Sequence, residues 1–241
     1  MNKIALITGA TAGMGKCMAR GLIQRGYTVL GIGRDLEKLE LCKKEFGESF
    51  QGFECDVSDF KKITLTSNMI KKLKLKPSLF ILNAGTGSTE THGSLDINIH
   101  QETFQTNYFG AMQWIQEWLP ESMEEGATFV GISSILTKHA TPKAAAYCAS
   151  KSALSSAFES LRMEYLNTPL KFITVLPGPV DTKMFKSENP VPFVQTPERA
   201  SEIILKGVFK DKNIIAFPLF YNIFFNLLRL LPTRIVAKIL K

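Results

Sequence analysis

Four cysteines and three histidines are all that this 241-residue chain offers toward metal or disulfide chemistry. Cys17, Cys42, Cys55 and Cys148 show no CxxC spacing and no histidine cluster accompanies them, so neither a zinc site nor a disulfide framework is expected. A reduced, cytoplasmic setting is the corresponding expectation. Internal repeats, low-complexity segments and long linkers are also lacking, which points to one large α/β domain over residues 1–241. No signal peptide is expected, because Met1, Asn2 and Lys3 lead straight into the short apolar run Ile4–Ile7. Acids are fewer than bases, 22 against 29, giving a net charge of +7. The densest basic cluster (Lys61, Lys62, Lys71, Lys72, Lys74 and Lys76) falls on an expected helix and the turn after it. Without a readout element it reads as a solvated face, and nucleic-acid binding is not expected.

What is present is a regular alternation. The hydrophobic fraction is 45%, enough for a sizeable core. Short apolar runs predict strands over Lys3–Thr8, Thr28–Ile32, Ser49–Glu54, Leu79–Asn83, Thr128–Ser133, Lys171–Leu176 and Asn213–Phe217. Amphipathic stretches predict helices over Met14–Arg25, Asp35–Phe46, Ser58–Leu73, Gln101–Leu119, Ala144–Tyr165 and Pro197–Phe209, with Asp35 as an N-cap. Alternating βα units of this kind make a doubly wound, Rossmann-type parallel sheet of about seven strands with helices on both faces. Two regions break the pattern. Residues 181–195, with Pro190 and Pro192, read as a loop beside a substrate, and 217–241 as an apolar, basic extension.

The first chemical motif follows the first strand. Thr8-Gly9-Ala10-Thr11-Ala12-Gly13-Met14-Gly15 is a glycine-rich turn running into a helix start. Glycines let backbone approach a pyrophosphate, and the helix from Met14 aims free N–H groups and its positive dipole end at that anion. Glycine is common in strand-to-helix loops, so the motif alone is weak. Later, Tyr147 and Lys151 stand four apart in a helical pattern and share a face. An ammonium beside a phenol favours the phenolate and lowers a pKa that starts near ~10. A YxxxK pair by itself is also weak, since such pairs arise by chance on exposed helices.

The spacing TGxxxGxG, taken with YxxxK, resembles the short-chain dehydrogenase/reductase family in its compact single-domain subgroup, and the resemblance spans almost the whole chain. It implies an NAD(P)-dependent oxidoreductase interconverting a ketone or aldehyde and an alcohol, commonly as a homodimer or homotetramer. By that resemblance Gly9, Thr11, Gly13, Met14 and Gly15 cradle the dinucleotide. Asp56, followed by Val57, contacts the adenine ring, and Asn83-Ala84-Gly85 closes the floor of the cofactor site. Leu82 stands where the family usually has a further Asn. Gly33 occupies the position of the acid that selects NAD, and Arg34 follows where NADP enzymes hold a base. A fork-shaped guanidinium suits a 2′-phosphate, so NADP(H) is the expected cofactor, with an Arg34 that merely sits on the surface as the alternative.

The same resemblance makes Tyr147 the catalytic acid/base, supported by Lys151, which also contacts the nicotinamide ribose. Ser134 lies 13 residues before Tyr147, the family interval, and is preferred over its neighbour Ser133 as the group that binds the substrate oxygen. Asn107 matches a helix Asn linked to the Lys through water; a solvent-facing polar residue is the alternative. Pro177, Gly178, Val180 and Thr182 match the stretch that holds the nicotinamide carboxamide, although a plain Pro/Gly loop would look similar. Thr137 departs from the family, which often has Gly there. A binding protein that senses NADP(H) with little turnover is the competing function; retention of Ser134, Tyr147, Lys151 and Asn107 together argues against it.

The last stretch carries Arg229, Arg234, Lys238 and Lys241 and no acid after Phe217. Pro218, Asn222, Asn226 and Arg229 interrupt its apolar run, so it is a poor membrane span. Two readings stand open for residues 219–241: a helix lying on an anionic membrane surface, or a helix packed on its own domain or on another subunit. Phe185, Phe193 and Phe217 near the expected entrance lean toward a hydrophobic or lipid-like carbonyl substrate.

Overall fold

A computed structural model describes residues 3–87, 95–182, 184–185 and 191–239. Within the expected loop 181–195, residues 183 and 186–190 lie outside this set, as do 240 and 241 of the extension.

Seven strands, β1 (Lys3–Thr8), β2 (Tyr27–Gly33), β3 (Phe50–Glu54), β4 (Leu79–Leu82), β5 (Ala127–Ile132), β6 (Leu170–Pro177) and β7 (Ile214–Phe217), form one sheet in the order β3-β2-β1-β4-β5-β6-β7. Every pairing is parallel. This is the doubly wound Rossmann arrangement, and each expected strand is present to within a residue or two at its ends. Near-continuous apolar runs are what a parallel sheet covered on both faces requires. Side-chain alternation divides them. Ala5 and Ile7 enter one core with residues of α1 (Gly13–Ile23), α2 (Leu36–Phe46) and α7 (Pro197–Val208). Leu6 points the other way, into a core with α3 (Phe60–Lys72), α5 (Gly110–Glu125) and α6 (Ala145–Glu164). The strand order reverses between β1 and β4, opening a crevice beyond their carboxyl ends.

In-register pairing sets Phe80, Phe129 and Phe172 side by side across β4, β5 and β6. Their rings stack at centroid separations of 4.7 and 5.3 Å. Asp35 is the cap of α2, accepting from the Lys38 N–H at 3.1 Å. Its carboxylate also pairs with the Lys38 ammonium, so the acid beside Arg34 is committed to starting a helix.

The expected helix 101–119 differs most. It begins earlier, as α4 (Ile97–Phe104) capped by Asp96, widens into a π turn over Gln105–Phe109, and continues as α5. A Cβ on Gly110 would collide with the Val57 carbonyl oxygen, so this glycine lets α5 rest on the backbone that follows β3. Pro120 does not end α5, because Trp114, Ile115, Trp118 and Ser122 bury one stripe on both sides of it. Packing overrides the local signal.

Phe129 is fully buried at the centre of the aromatic row. Phe129→Ala is expected to cost about 3–5 kcal/mol of stability, read as a lowered midpoint in urea unfolding.

Candidate active site

The glycine turn after β1 is pinned to the end of β2: the N–H groups of Gly9 and Ala10 both donate to the Ile32 carbonyl, at 2.8 and 3.2 Å. Gly9 (φ +65°) and Gly13 (φ +50°) occupy the left-handed region that glycine adopts freely. Gly15 is excluded from substitution by contact, since a Cβ there would strike the Gly9 carbonyl oxygen. From β4, the Asn83 side-chain amide donates to the carbonyls of Thr8 (3.0 Å) and Gly9 (3.3 Å). The Thr8 hydroxyl accepts from the N–H groups of Asn83 (3.0 Å) and Ala84 (2.9 Å). These bonds fuse the turns after β1 and β4 into one rigid floor.

Helix α1 rises from that floor with Ala12 at its N-cap, no side-chain cap and no acid in its first turn. By contrast Asp35, Asp59, Asp96 and Thr196 cap α2, α3, α4 and α7 with their side chains. The first N–H groups of α1 are thus left to whatever anion sits on the glycine turn. Thr11 packs beside Gly33, its methyl 3.1 Å from where a Cβ would stand, and Arg34 is exposed just beyond. Past β3, Val57 is buried and Asp56 is partly buried, a burial that opposes ionisation. The N–H and hydroxyl of Ser58, at 2.9 and 2.7 Å, together with the Arg34 charge, outweigh that and hold the Asp56 carboxyl below its usual range. The carbonyl of Met14 accepts from the Ser201 hydroxyl at 3.1 Å, which ties α1 to α7.

The second constellation forms where β5 ends. Alternation sends the two serines to different places. The Ser133 hydroxyl meets the Lys151 carbonyl and the Ser155 hydroxyl, both at 2.8 Å, and braces α6. Ser134 hydrogen-bonds Tyr147 and accepts from the Leu136 N–H at 3.2 Å. Thr137, where the family often has Gly, donates its hydroxyl to the Ser134 carbonyl at 2.9 Å and steadies the serine from below. On α6, Lys151 lies one turn from Tyr147, its Nζ 5.9 Å from the ring centroid. The ammonium donates to the Ile132 carbonyl at 2.8 Å and is only 4% exposed. Burial lowers the Lys151 pKa to about 8.

Tyr147 moves opposite to the direction that the YxxxK pairing suggested. Burial raises its pKa, and the Ser134 hydrogen bond only partly counters this. The Lys151 ammonium is engaged by a backbone carbonyl of β5, so burial decides the direction.

Asn107 sits in the π turn and is 1% exposed, which removes the solvent-facing alternative. Its Oδ1 accepts from the Thr86 N–H at 2.7 Å; its Nδ2 donates to the Thr86 carbonyl at 2.9 Å and to the Ser150 hydroxyl at 3.0 Å. Ser150 in turn donates to the Tyr147 carbonyl at 2.8 Å. A Cβ on Gly85 would lie 3.2 Å from both Asn107 Oδ1 and Lys151 Nζ, which places the floor directly against this pair. After β6, Gly178 N–H donates to the Phe217 carbonyl at 2.7 Å, and Val180 bridges to Gln195. Thr182 lies over the glycine turn, its methyl 3.3 Å from a Cβ position on Gly13. The glycine turn, the Asn83–Gly85 floor, Asn107, Ser134, Tyr147, Lys151 and Thr182 are thus linked to one another by contacts, whereas Phe193 lies exposed against Phe220 and Phe217 falls elsewhere. Phe217 is 4% exposed and belongs to the core, because the last residue of β7 points inward.

Three contributors lie outside the expected site residues, and Thr8 enters there only as the first residue of the glycine motif. Thr8 and Thr86 are bonded chiefly through or to backbone, and Ser150 carries no motif of its own. Gly87, whose Cβ position is 3.5 Å from the Tyr147 ring and 3.7 Å from Met184, marks a narrow apolar wall.

A family model described as short chain dehydrogenase matches residues 3–191. The chain belongs to the short-chain dehydrogenase family and is an oxidoreductase. It is 31% identical over 224 residues to an uncharacterized oxidoreductase of Myxococcus xanthus, covering 90% of this chain and 87% of that one. A fatty acyl-CoA reductase of Acinetobacter baylyi is 31% identical over 222 residues, 89% of this chain and 75% of its own. Against an uncharacterized oxidoreductase of Mycobacterium bovis, 30% identical over 218 residues, the match spans 86% of this chain and 64% of the relative. Among solved structures, a short chain dehydrogenase from Burkholderia cenocepacia in complex with NADP superposes with a TM-score of 0.84 at 24% identity, over 100% of this chain and 98% of that one. One from Streptomyces avermitilis gives 0.85 at 22% identity, over 95% and 93%.

A lysine depressed on folding binds fewer protons folded than unfolded between its two pKa values. The Lys151 contribution to the stability of the ligand-free chain should therefore rise with pH from about 8 toward the ordinary lysine value of 10.5, against the opposite contributions of Cys17 and Cys55, whose pKa values burial raises to about 11. Lys151→Met should lack that rise; parallel pH dependences of urea unfolding in the two proteins would disprove the assignment.

Proposed function

We propose that the protein is an NADP(H)-dependent oxidoreductase interconverting a ketone or aldehyde and an alcohol, with Tyr147 as acid/base. One observation carries the reading: the Ser134 and Tyr147 hydroxyls and the Lys151 ammonium converge beside an uncapped helix N-terminus on a glycine floor. The crevice fits the cofactor. Gly9, Gly13 and Gly15 leave room for a pyrophosphate against backbone, the first turn of α1 holds no acid, and Arg34 is exposed where a 2′-phosphate would lie. Asp56 and Val57 would border the adenine; Asn83, Ala84 and Gly85 would lie under the ribose. Pro177, Gly178, Val180 and Thr182 would hold the carboxamide. NADP in the Burkholderia structure agrees with this choice.

NADPH, when bound, supplies the hydride; the protein supplies orientation and protons. Ser134 donates a hydrogen bond to the substrate oxygen and stabilises the charge that grows there. Tyr147 gives that oxygen its proton, and its raised pKa keeps the phenol protonated for the reductive direction. Lys151, near pKa 8, exchanges protons at physiological pH and can reload the phenol, with Asn107 bordering the route. The wall at Gly87 and Met184, exposed Phe193 and the fatty acyl-CoA reductase relative together favour an apolar, lipid-like carbonyl substrate.

Carbonyl-dependent oxidation of NADPH across a panel that includes long-chain aldehydes and ketones tests the reading. Tyr147→Phe should bind NADPH unchanged and lose about 100-fold or more in kcat. Full activity in that variant would refute the role of Tyr147, and NADPH binding without turnover across the panel would favour a cofactor sensor. Arg34→Ala should raise the KM for NADPH about 10- to 100-fold and leave that for NADH unchanged, the loss expected of one charge-assisted contact.

A further inference from the structure

The extension folds back as α8 (Leu219–Leu228) and α9 (Thr233–Ile239). Tyr221, Phe225 and Leu228 form an inner stripe that packs, with Val236, on Ile135 and Leu176 beside the active site. That accounts for one face of α8. A second stripe, Phe220, Ile223 and Leu227, faces outward at helical spacing, with Ile223 and Leu227 51% and 57% exposed. It continues through Leu230 (80% exposed), Ile235 and Ile239. A helix apolar on both faces needs a second apolar medium. No helix among the described residues is long and apolar enough to cross a membrane, so the outer face would lie along one.

Charge points to what that medium is. Arg229, Arg234 and Lys238 are exposed around the apolar stripe, and the segment holds no acid. A third flank of α8 carries Asn222 and Asn226. Asn222 borders a cleft of about 440 Å³ whose lining includes Lys138, Lys206, Lys210 and Lys212. Lys138 reaches Asn226 Oδ1 at 3.3 Å, joining cleft to helix. The cleft's acid, Glu202, is matched by Arg199 at 2.6 Å, so four positive charges remain uncompensated within its lining. A second copy meeting this face across a two-fold axis would set like charges against each other.

We infer that α8, α9 and the adjoining basic cleft form a docking surface for an anionic phospholipid bilayer, with the apolar stripe in the interface and the lysines on the headgroups. The experiment is flotation of the full chain with phosphatidylcholine vesicles containing 30% phosphatidylglycerol or none. The protein should float with the anionic vesicles, and release should follow added salt. Ile223→Ser with Leu227→Ser, both on the outer face, should reduce partitioning at least tenfold without lowering Tm. Lys206→Gln, Lys210→Gln and Lys212→Gln together should reduce it about 100-fold, at about fivefold per charge. Equal flotation with neutral vesicles, or none with anionic ones, would overturn the inference. So would a dimer in sedimentation that the Ile223/Leu227 variant splits, since the occupant would then be a second copy.

Discussion

The carboxamide of Asn107 holds three segments at one point. Buried in the π turn between α4 and α5, it closes a pair of hydrogen bonds with the backbone of Thr86 and reaches Ser150 on α6. Thr86 follows Gly85 in the loop after β4, and Ser150 lies on the helix that carries Tyr147 and Lys151. The loop after β4 and the helix that carries Tyr147 and Lys151 are therefore fixed by the same side chain. A regular α-helix over 97–125 would change the rotation of Asn107 relative to α5, and the widened turn is what aims it inward.

Lys151 is held at both ends in a related way. Its carbonyl accepts from Ser133 and its ammonium donates to Ile132, neighbouring residues at the end of β5. The amine can hardly swing, so its charge is governed by burial and by what enters the crevice. A phosphate-bearing ligand nearby would raise the lysine's pKa, while its negative charge would not favour the phenolate of Tyr147. The resting protein already holds the phenol protonated and the amine partly neutral.

Much of this was legible in the chain because parallel sheets write themselves as apolar runs. All seven strands and the glycine turn depend on local pattern, and Asp35 announced itself as a cap. Other features depend on contacts distant in sequence. The choice between Ser133 and Ser134 rested on an interval, and only strand alternation explains it physically. The π turn leaves no mark in periodicity, since Gly110 is demanded by Val57 from another segment. The Tyr147 shift runs against the YxxxK spacing because that spacing encodes proximity and says nothing about burial. Neighbours in sequence point Phe217 toward the entrance, whereas its position in β7 turns it into the core.

The extension also contacts residues 192 and 193, which follow β6. The Tyr221 hydroxyl donates to the Pro192 carbonyl at 2.8 Å, Phe220 and Phe193 rings lie 5.0 Å apart, and a Cβ on Gly178 would meet Tyr221 at 3.4 Å. Helix α8 and the residues around Pro192 and Phe193 thus form one packed piece. Thermodynamic reciprocity follows: occupancy of the crevice that shifts this piece changes the affinity of its outer face, and occupancy of the outer face changes the affinity of the crevice by the same factor.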